Sequence, residues 1–285
     1  VRLAWSRPLP AAPAGLSLAR EAGLLLVHDA EQHLVRLDRQ GQVVVRRPAP
    51  GAVAAAACAD DGNTVAAVGP RGQLWVMTAE LTLHWERSLP RRPTALALDA
   101  LGRQAAVADE GGGVTVLDTA GKVVWSARAA RPLVHLAFVP EEAVLLGSAE
   151  FGLVCAFDRA GRCMWREGLV AHVGSLAVSG DGSRVVLACF TEGLCCYSPG
   201  PQRQTQLANG PPARLAALSY SGKTILTVGL DGLLTLRDER GAVRDELPLP
   251  GPPVAAAVEA LGESAVAALA SGEVVRIDLP AEGGG

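Results

Sequence analysis

The residues of this chain that could do chemistry are few, and their spacing argues against most reactions. The six cysteines, Cys58, Cys155, Cys163, Cys189, Cys195 and Cys196, form no pair of the short CxxC hooks that hold structural zinc. Most lie in apolar stretches, where a thiol serves as a small buried hydrophobe. Free thiols suit a reducing compartment, so the expected location is cytoplasmic, or periplasmic if a signal segment has been removed. The five histidines, His28, His33, His84, His135 and His172, show no ligand spacing. The segment SYSGKT (219–224) approaches a phosphate-binding loop, but Ala217 stands where the first glycine belongs and no helix follows to receive phosphate. Asp60, Asp61 and Asp181 sit beside glycines and read as turn residues before metal ligands. No G-x-S-x-G elbow occurs. The reading therefore assigns no catalytic residue, no metal ligand and no cofactor.

What positions these residues is a repeat of about 40 residues. Trp5, Trp85, Trp125 and Trp165 share one phase of it, with Val45 holding that phase between the first two and Thr205 and Asp245 replacing the indole later. Three glycine columns run alongside: Gly62, Gly102, Gly182, Gly222 and Gly262; Gly72, Gly112, Gly152, Gly232 and Gly272; and Gly41, Gly121, Gly161 and Gly241. A fourth column is Asp38, Asp118, Asp158, Asp238 and Asp278, with Thr78 and Ser198 in the gaps. Each period holds four short runs, seen best as TALALD, QAAVAD, VTVLD and KVVW between Arg91 and Ala130. Short strands divided by Gly-bearing turns read as an antiparallel meander. Asp118 followed by Gly121 fits a type I turn.

The fold expected is all-β: a seven-bladed β-propeller of four-stranded antiparallel blades. Blades begin near residues 11, 51, 91, 131, 171, 211 and 251. The last repeat stops after its third strand and a tail at 281–285. VRLAWSRPLP (1–10) matches LTLHWERSLP (81–90) in phase, so the N-terminal strand is expected to complete blade seven and close the ring. Residues 1–285 then form a single propeller domain. VAAAVEALGESAVAAL (254–269) has helical propensity but keeps the repeat phase, and its alanines suit the narrow axis of a propeller.

Composition bounds the function. The chain has 285 residues, 49% of them apolar and 19% charged, with net charge −3 and pI about 6.0. That excludes disorder and gives no basic field for nucleic acid. Apolar stretches are broken well short of the ~20 residues a bilayer needs, so no membrane insertion is expected. Abundant Ala, Gly, Pro and Arg, with only Lys122 and Lys223 as lysines, fit a GC-rich bacterial genome.

Third strands ending in VRLD, VTVLD, CAFD or VVRID resemble those of WD-repeat propellers, with Leu, Phe or Ile at the Trp position. The Gly-His pair of that family is absent; only Ala171-His172 comes near, so its hydrogen-bonded network is not carried over. LDTAGKVVW and FDRAGRCMW are similar to quinoprotein-type propeller repeats, in which an Asp-containing turn leads through Gly to a docking Trp. Some quinone-dependent dehydrogenases of that class bridge adjacent cysteines beside pyrroloquinoline quinone. Cys195-Cys196 lies mid-strand, where successive side chains point to opposite faces, so such a bridge is not expected here.

The remaining signal is charge. Loops joining a fourth strand to the next blade carry Arg7, Arg46, Arg47, Arg87, Arg91, Arg92, Arg128 and Arg131. Loops joining second to third strands, on the same face, carry Asp29, Glu31, Asp109, Glu110, Glu150, Glu192 and Asp231. Acid and arginine either pair with one another or leave arginines free for an acidic partner. Pro48, Pro50, Pro90 and Pro93 stiffen the same rim. The expected function is a non-catalytic scaffold presenting a loop rim around the central channel, in which a monomer binds a protein partner or flanking domains through Arg46, Arg47, Arg91, Arg92, Arg131 and His172. The alternatives are a cofactor- or metal-binding propeller enzyme of quinoprotein-like type and a ligand-sensing domain of a larger protein.

Overall fold

The computed structural model describes residues 1–140, 144–168, 171–197 and 211–280, and the backbone of 203–207. Its strands form seven four-stranded antiparallel sheets, and the described residues contain no helix. Six sheets are meanders in chain order, spanning residues 13–48, 55–88, 93–128, 135–167, 173–207 and 213–248. The seventh combines Pro253–Val258, Ser264–Leu269 and Glu273–Asp278 with Arg2–Pro8 from the other end of the chain. The register of that closing pair runs from Arg2 opposite Asp278 to Pro8 opposite Glu273. The alanine-rich segment is thus two strands, and every residue of Ser264–Leu269 is buried.

Seven apolar clusters form the core, one at each seam between blades. Both faces of each sheet are therefore covered. This explains why second strands such as Val185–Cys189 are apolar throughout instead of alternating.

The turns between third and fourth strands follow from the Asp and Gly columns. Asp118 Oδ1 accepts the N–H groups of Ala120 and Lys122, both at 2.9 Å, and Gly121 N donates to Asp118 O at 3.0 Å. Asp38, Asp158 and Asp238 repeat the arrangement, and the Thr78 hydroxyl accepts Glu80 N at 3.3 Å. Ser198 and the 281–285 tail lie outside the described residues.

Each of these turns receives the preceding blade. A side chain at Gly161 would meet the Trp125 ring at 2.6 Å, and one at Gly121 would meet Trp85 at 3.1 Å. The glycine thus supplies both a positive φ (+76° at Gly161) and a seat for the indole. Trp85 Nε1 donates to Thr119 O at 2.8 Å, and Trp5 Nε1 to Arg39 O at 3.3 Å. At the seam between blades one and two both partners change. Val45 replaces the indole, and Leu81 replaces the glycine while keeping φ at +59°. Leu81 and Val45 join one apolar cluster, so the larger side chain has moved from one partner to the other. Trp165 stacks on Tyr197 of blade five, with ring centroids 6.1 Å apart.

Two outcomes test this account. Deleting residues 1–8 exposes the edge of Glu273–Asp278 and removes the Trp5 contact, so stability should fall by at least the ~3–5 kcal/mol of a lost large aromatic. Unchanged thermal melting would refute the closure. Val45→Trp alone should overpack the seam by ~1–3 kcal/mol. Combined with Leu81→Gly it should be tolerated, giving a favourable coupling above ~1 kcal/mol in a urea-denaturation double-mutant cycle. Additive effects would mean the two positions do not share one space.

Candidate functional site

The innermost strands enclose a channel of about 310 Å³, lined chiefly by Leu and Ala, among them Leu16, Ala57, Leu96 and Ala137. Ser17, Cys58, Arg20 and Asp60 supply its polar groups. Arg20 reaches from blade one to Asp60 of blade two through a bidentate pair, Nε–Oδ1 at 3.2 Å and Nη2–Oδ2 at 2.9 Å. Its Nη1 donates to Val178 O of blade five at 3.3 Å. The side chains are only 20% and 16% exposed, and together they bar one mouth of the channel. Such a shielded bidentate pair is held far more firmly than a surface ion pair.

Three of the six thiols are poor nucleophiles. Burial pushes Cys58 up to about 11 and Cys155 and Cys196 up to about 12, so all three stay protonated at neutral pH. Cys195 and Cys196 fall in different seam clusters, on opposite faces of their sheet, and all six cysteines are unbridged. Among the described residues no group of three or more His, Cys, Asp or Glu could hold a metal ion.

The arginines expected to form one rim divide into three groups. Arg46 pairs at long range with Asp29 (3.8 Å) and Glu31 (3.7 Å). Arg47 turns sideways, and its Nε donates to Glu80 O of the next blade at 2.8 Å. Arg87 does the same toward Gly121 O at 2.6 Å. Arg91, Arg92, Arg128 and Arg131 are exposed, and none makes an ion pair among the described residues.

Arg91, Arg131 and His172 are brought together in an arc across blades three to five. The Arg91 guanidinium lies over Gly111, where an added Cβ would meet Nη1 at 2.5 Å. The Arg131 guanidinium lies over Gly152, with Cζ 3.5 Å from the corresponding point. The next residue, Phe151, meets the His172 ring at a centroid distance of 4.8 Å, and both are exposed. Arg92 stands beside this arc, its carbonyl accepting Glu110 N at 3.0 Å. Arg46 and Arg47 belong to blade one and lie apart from it.

Two features escaped the sequence reading. Arg20 and Asp60 occupy the same phase of adjacent repeats, so a search for complementary charges in one column would have paired them. Phe151 had no such signal, because its contact with His172 depends on a local β-bridge between the two residues. His135 is a satisfied interior histidine, its Nε2–H donating to Val173 O at 3.3 Å.

Residues 2–134 match the PQQ_2 family model, described as outer membrane protein assembly factor BamB. The match covers under half of the chain. No curated protein matches it. Among solved structures, hydrazine synthase of Kuenenia stuttgartiensis superposes with a TM-score of 0.79 at 14% identity, covering 98% of each chain. At that identity the likeness carries the fold alone. Residues 2–134 thus carry repeats similar to those of that quinoprotein-like family, within a β-propeller. The chain's residues do not fit a quinone cofactor of that class. At the channel mouth that the pair bars, Arg20 is committed to Asp60, and the adjacent cysteines are divided between two seams, so neither offers the free cation or the bridged cysteine pair that such a cofactor would use there. No helix among the described residues is long and apolar enough to cross a membrane.

Burial holds His135 and His28 below the ordinary histidine range, against weaker opposing contributions from the Val173 hydrogen bond and Glu150 at His135 and from Asp29 at His28. Below the unfolded-state value of about 6.5 the unfolded chain takes up protons that the folded chain refuses. Stability should therefore fall as pH drops from 7 toward 5. His135→Gln should flatten that slope in denaturant titrations at several pH values; an unchanged slope would assign the loss elsewhere.

Proposed function

We propose that residues 1–285 form one propeller domain that acts as a non-catalytic platform for a protein partner, with the arc Arg91, Arg92, Arg131 and His172 as its recognition surface. The observation that carries this reading is the juxtaposition of free guanidinium groups with the exposed Phe151–His172 pair. Arginine and aromatic groups dominate the energetics of protein interfaces. A guanidinium offers an acidic partner a planar, bidentate donor set. The loops beneath carry Pro90, Pro93 and Pro132, whose fixed φ lowers the ordering cost of binding. Arg46 extends the surface only where a partner also displaces its long-range contacts with Asp29 and Glu31, and Arg47 serves the blade seam.

The description of the matched family as an assembly factor supports a partner-binding role. It also links that family to the outer membrane, which favours the envelope over the cytoplasm that the free thiols suggest. The barred, apolar channel and the protonated thiols favour a platform over a cofactor-dependent enzyme.

Native mass spectrometry of the gently purified protein should show the bare chain or the chain with a second protein. A reproducible small added mass would move the function to the channel. Reversing Arg91 and Arg131 together to Glu should weaken the complex by at least ~10-fold while leaving thermal stability within the ~0.5 kcal/mol of ordinary surface changes. Undiminished binding would remove the arc from the interface.

A further inference from the structure

The face opposite the arginine arc carries a cleft of about 630 Å³. That volume lies within the range of ligand-binding sites, roughly 300–1,000 Å³. The cleft lies where the turns of blades three and four meet. Just after each first strand comes the column Arg20, Asp60, Ala100, Pro140, Gly180, Tyr220 and Ala260. Backbone bonds join neighbouring turns of this column: Glu21 N to Asp60 O at 3.0 Å, Asp60 N to Ala100 O at 2.9 Å, Asp181 N to Tyr220 O at 2.9 Å, and Tyr220 N to Ala260 O at 2.8 Å. Among the described residues no such bond joins blade three to blade four or blade seven to blade one, and Pro140 has no N–H to offer blade five. The cleft opens at the seam between blades three and four and continues across the channel mouth.

Its lining is graded in charge. Toward the axis stands Glu21, exposed and without an ion-pair partner among the described residues. Toward the outside stands Arg159, on the turn between the third and fourth strands of blade four, exposed and likewise unpaired. Between them the charges are already matched: Asp60 holds Arg20, and Asp99 lies 3.6 Å from Arg103. Phe138 and Pro140 form an apolar floor, while Leu101 (46% exposed) and Tyr220 (44% exposed) form apolar lips. Exposed apolar lips on an open cleft suit a chain that enters and leaves better than a ligand that is enclosed.

We propose that this cleft docks an extended segment of a protein partner that presents an apolar side chain between a basic residue and an acidic one. The basic residue faces Glu21 and the Tyr220 ring, where charge attraction and a cation–π contact act together. The apolar side chain rests on Phe138 and Pro140, and the acidic residue meets Arg159. This site is independent of the arginine arc and stands or falls without it.

The test uses the full chain and a phage-displayed library of random heptapeptides, with the Glu21→Lys/Arg159→Glu protein for counter-selection. The enriched peptides should share a basic and an acidic residue flanking an apolar one. A synthetic winner should lose at least ~10-fold in affinity with each single reversal, and exchanging its two charged residues should restore binding to the doubly reversed protein. Both substituted residues are exposed and unpaired, so melting temperature should not move. No selective enrichment, affinity indifferent to both reversals, or binding abolished by Arg91→Glu would each overturn the proposal. So would capture of free dipolar amino acids with no peptide preference.

Discussion

Where one blade meets the next, a single contact recurs, and the ring depends on it. The turn between third and fourth strands offers a glycine seat and a set of outward carbonyls, and the preceding blade fills both. Trp5, Trp85 and Trp125 occupy the seats. Indole and guanidinium N–H groups take the carbonyls: Trp85 and Arg87 at Thr119 and Gly121, Arg47 and Arg36 at Glu80 and Ala79, Trp5 and Arg276 at Arg39, and Arg184 at Glu239. The Asp that begins each turn spends its carboxylate on backbone N–H groups, which fixes the carbonyls in place. At Asp158 the bond from Arg162 N leads the contacts that hold its carboxyl below the usual range. Arginine is well suited to this work, because its several donors can bridge a seam while its stem covers apolar surface.

This constraint leaves little freedom inside. Each sheet has a neighbour on both faces, and the first strands converge on the axis, so the interior is filled with Ala, Val and Leu. Polar crossings between blades are sparse there; one joins His135 to Val173 O, and Arg20, bonded to Asp60 and Val178 O, ties blades one, two and five together across the mouth. Variation is tolerated chiefly in the turns. There the repeats differ most, and there a partner would be distinguished from other partners.

The fold was legible because its causes are periodic. An indole needs a glycine seat, the seat needs an Asp-capped turn, and both therefore recur in phase. The closing role of Arg2–Pro8 was legible for the same reason, since Trp5 falls in the column. The candidate sites were less so. Sequence position placed Arg47 and Arg87 on the rim, but side-chain direction carries them to the neighbouring turn. Arg20 and Asp60 share a column without sharing an identity, so a search for repeated residues passed over them. Phe151 and His172 meet through an irregular bridge that no period announces.

The departures from the repeat are informative in a different way from the repeats themselves. At Val45 and Leu81 the sequence leaves the pattern on both sides of a seam at once, and the packing closes again. That is compensation, and it leaves no opening. At Pro140 the change is one-sided. Proline removes from the ring of turns the N–H that would face blade five. The seam between blades three and four, where the cleft of about 630 Å³ opens, is a place where this ring has gained a surface. The arginine arc begins on the same two blades, on the opposite face. Blades three and four thus present distinct chemistry at both ends of one seam, whereas the remainder of the ring keeps the blades in place.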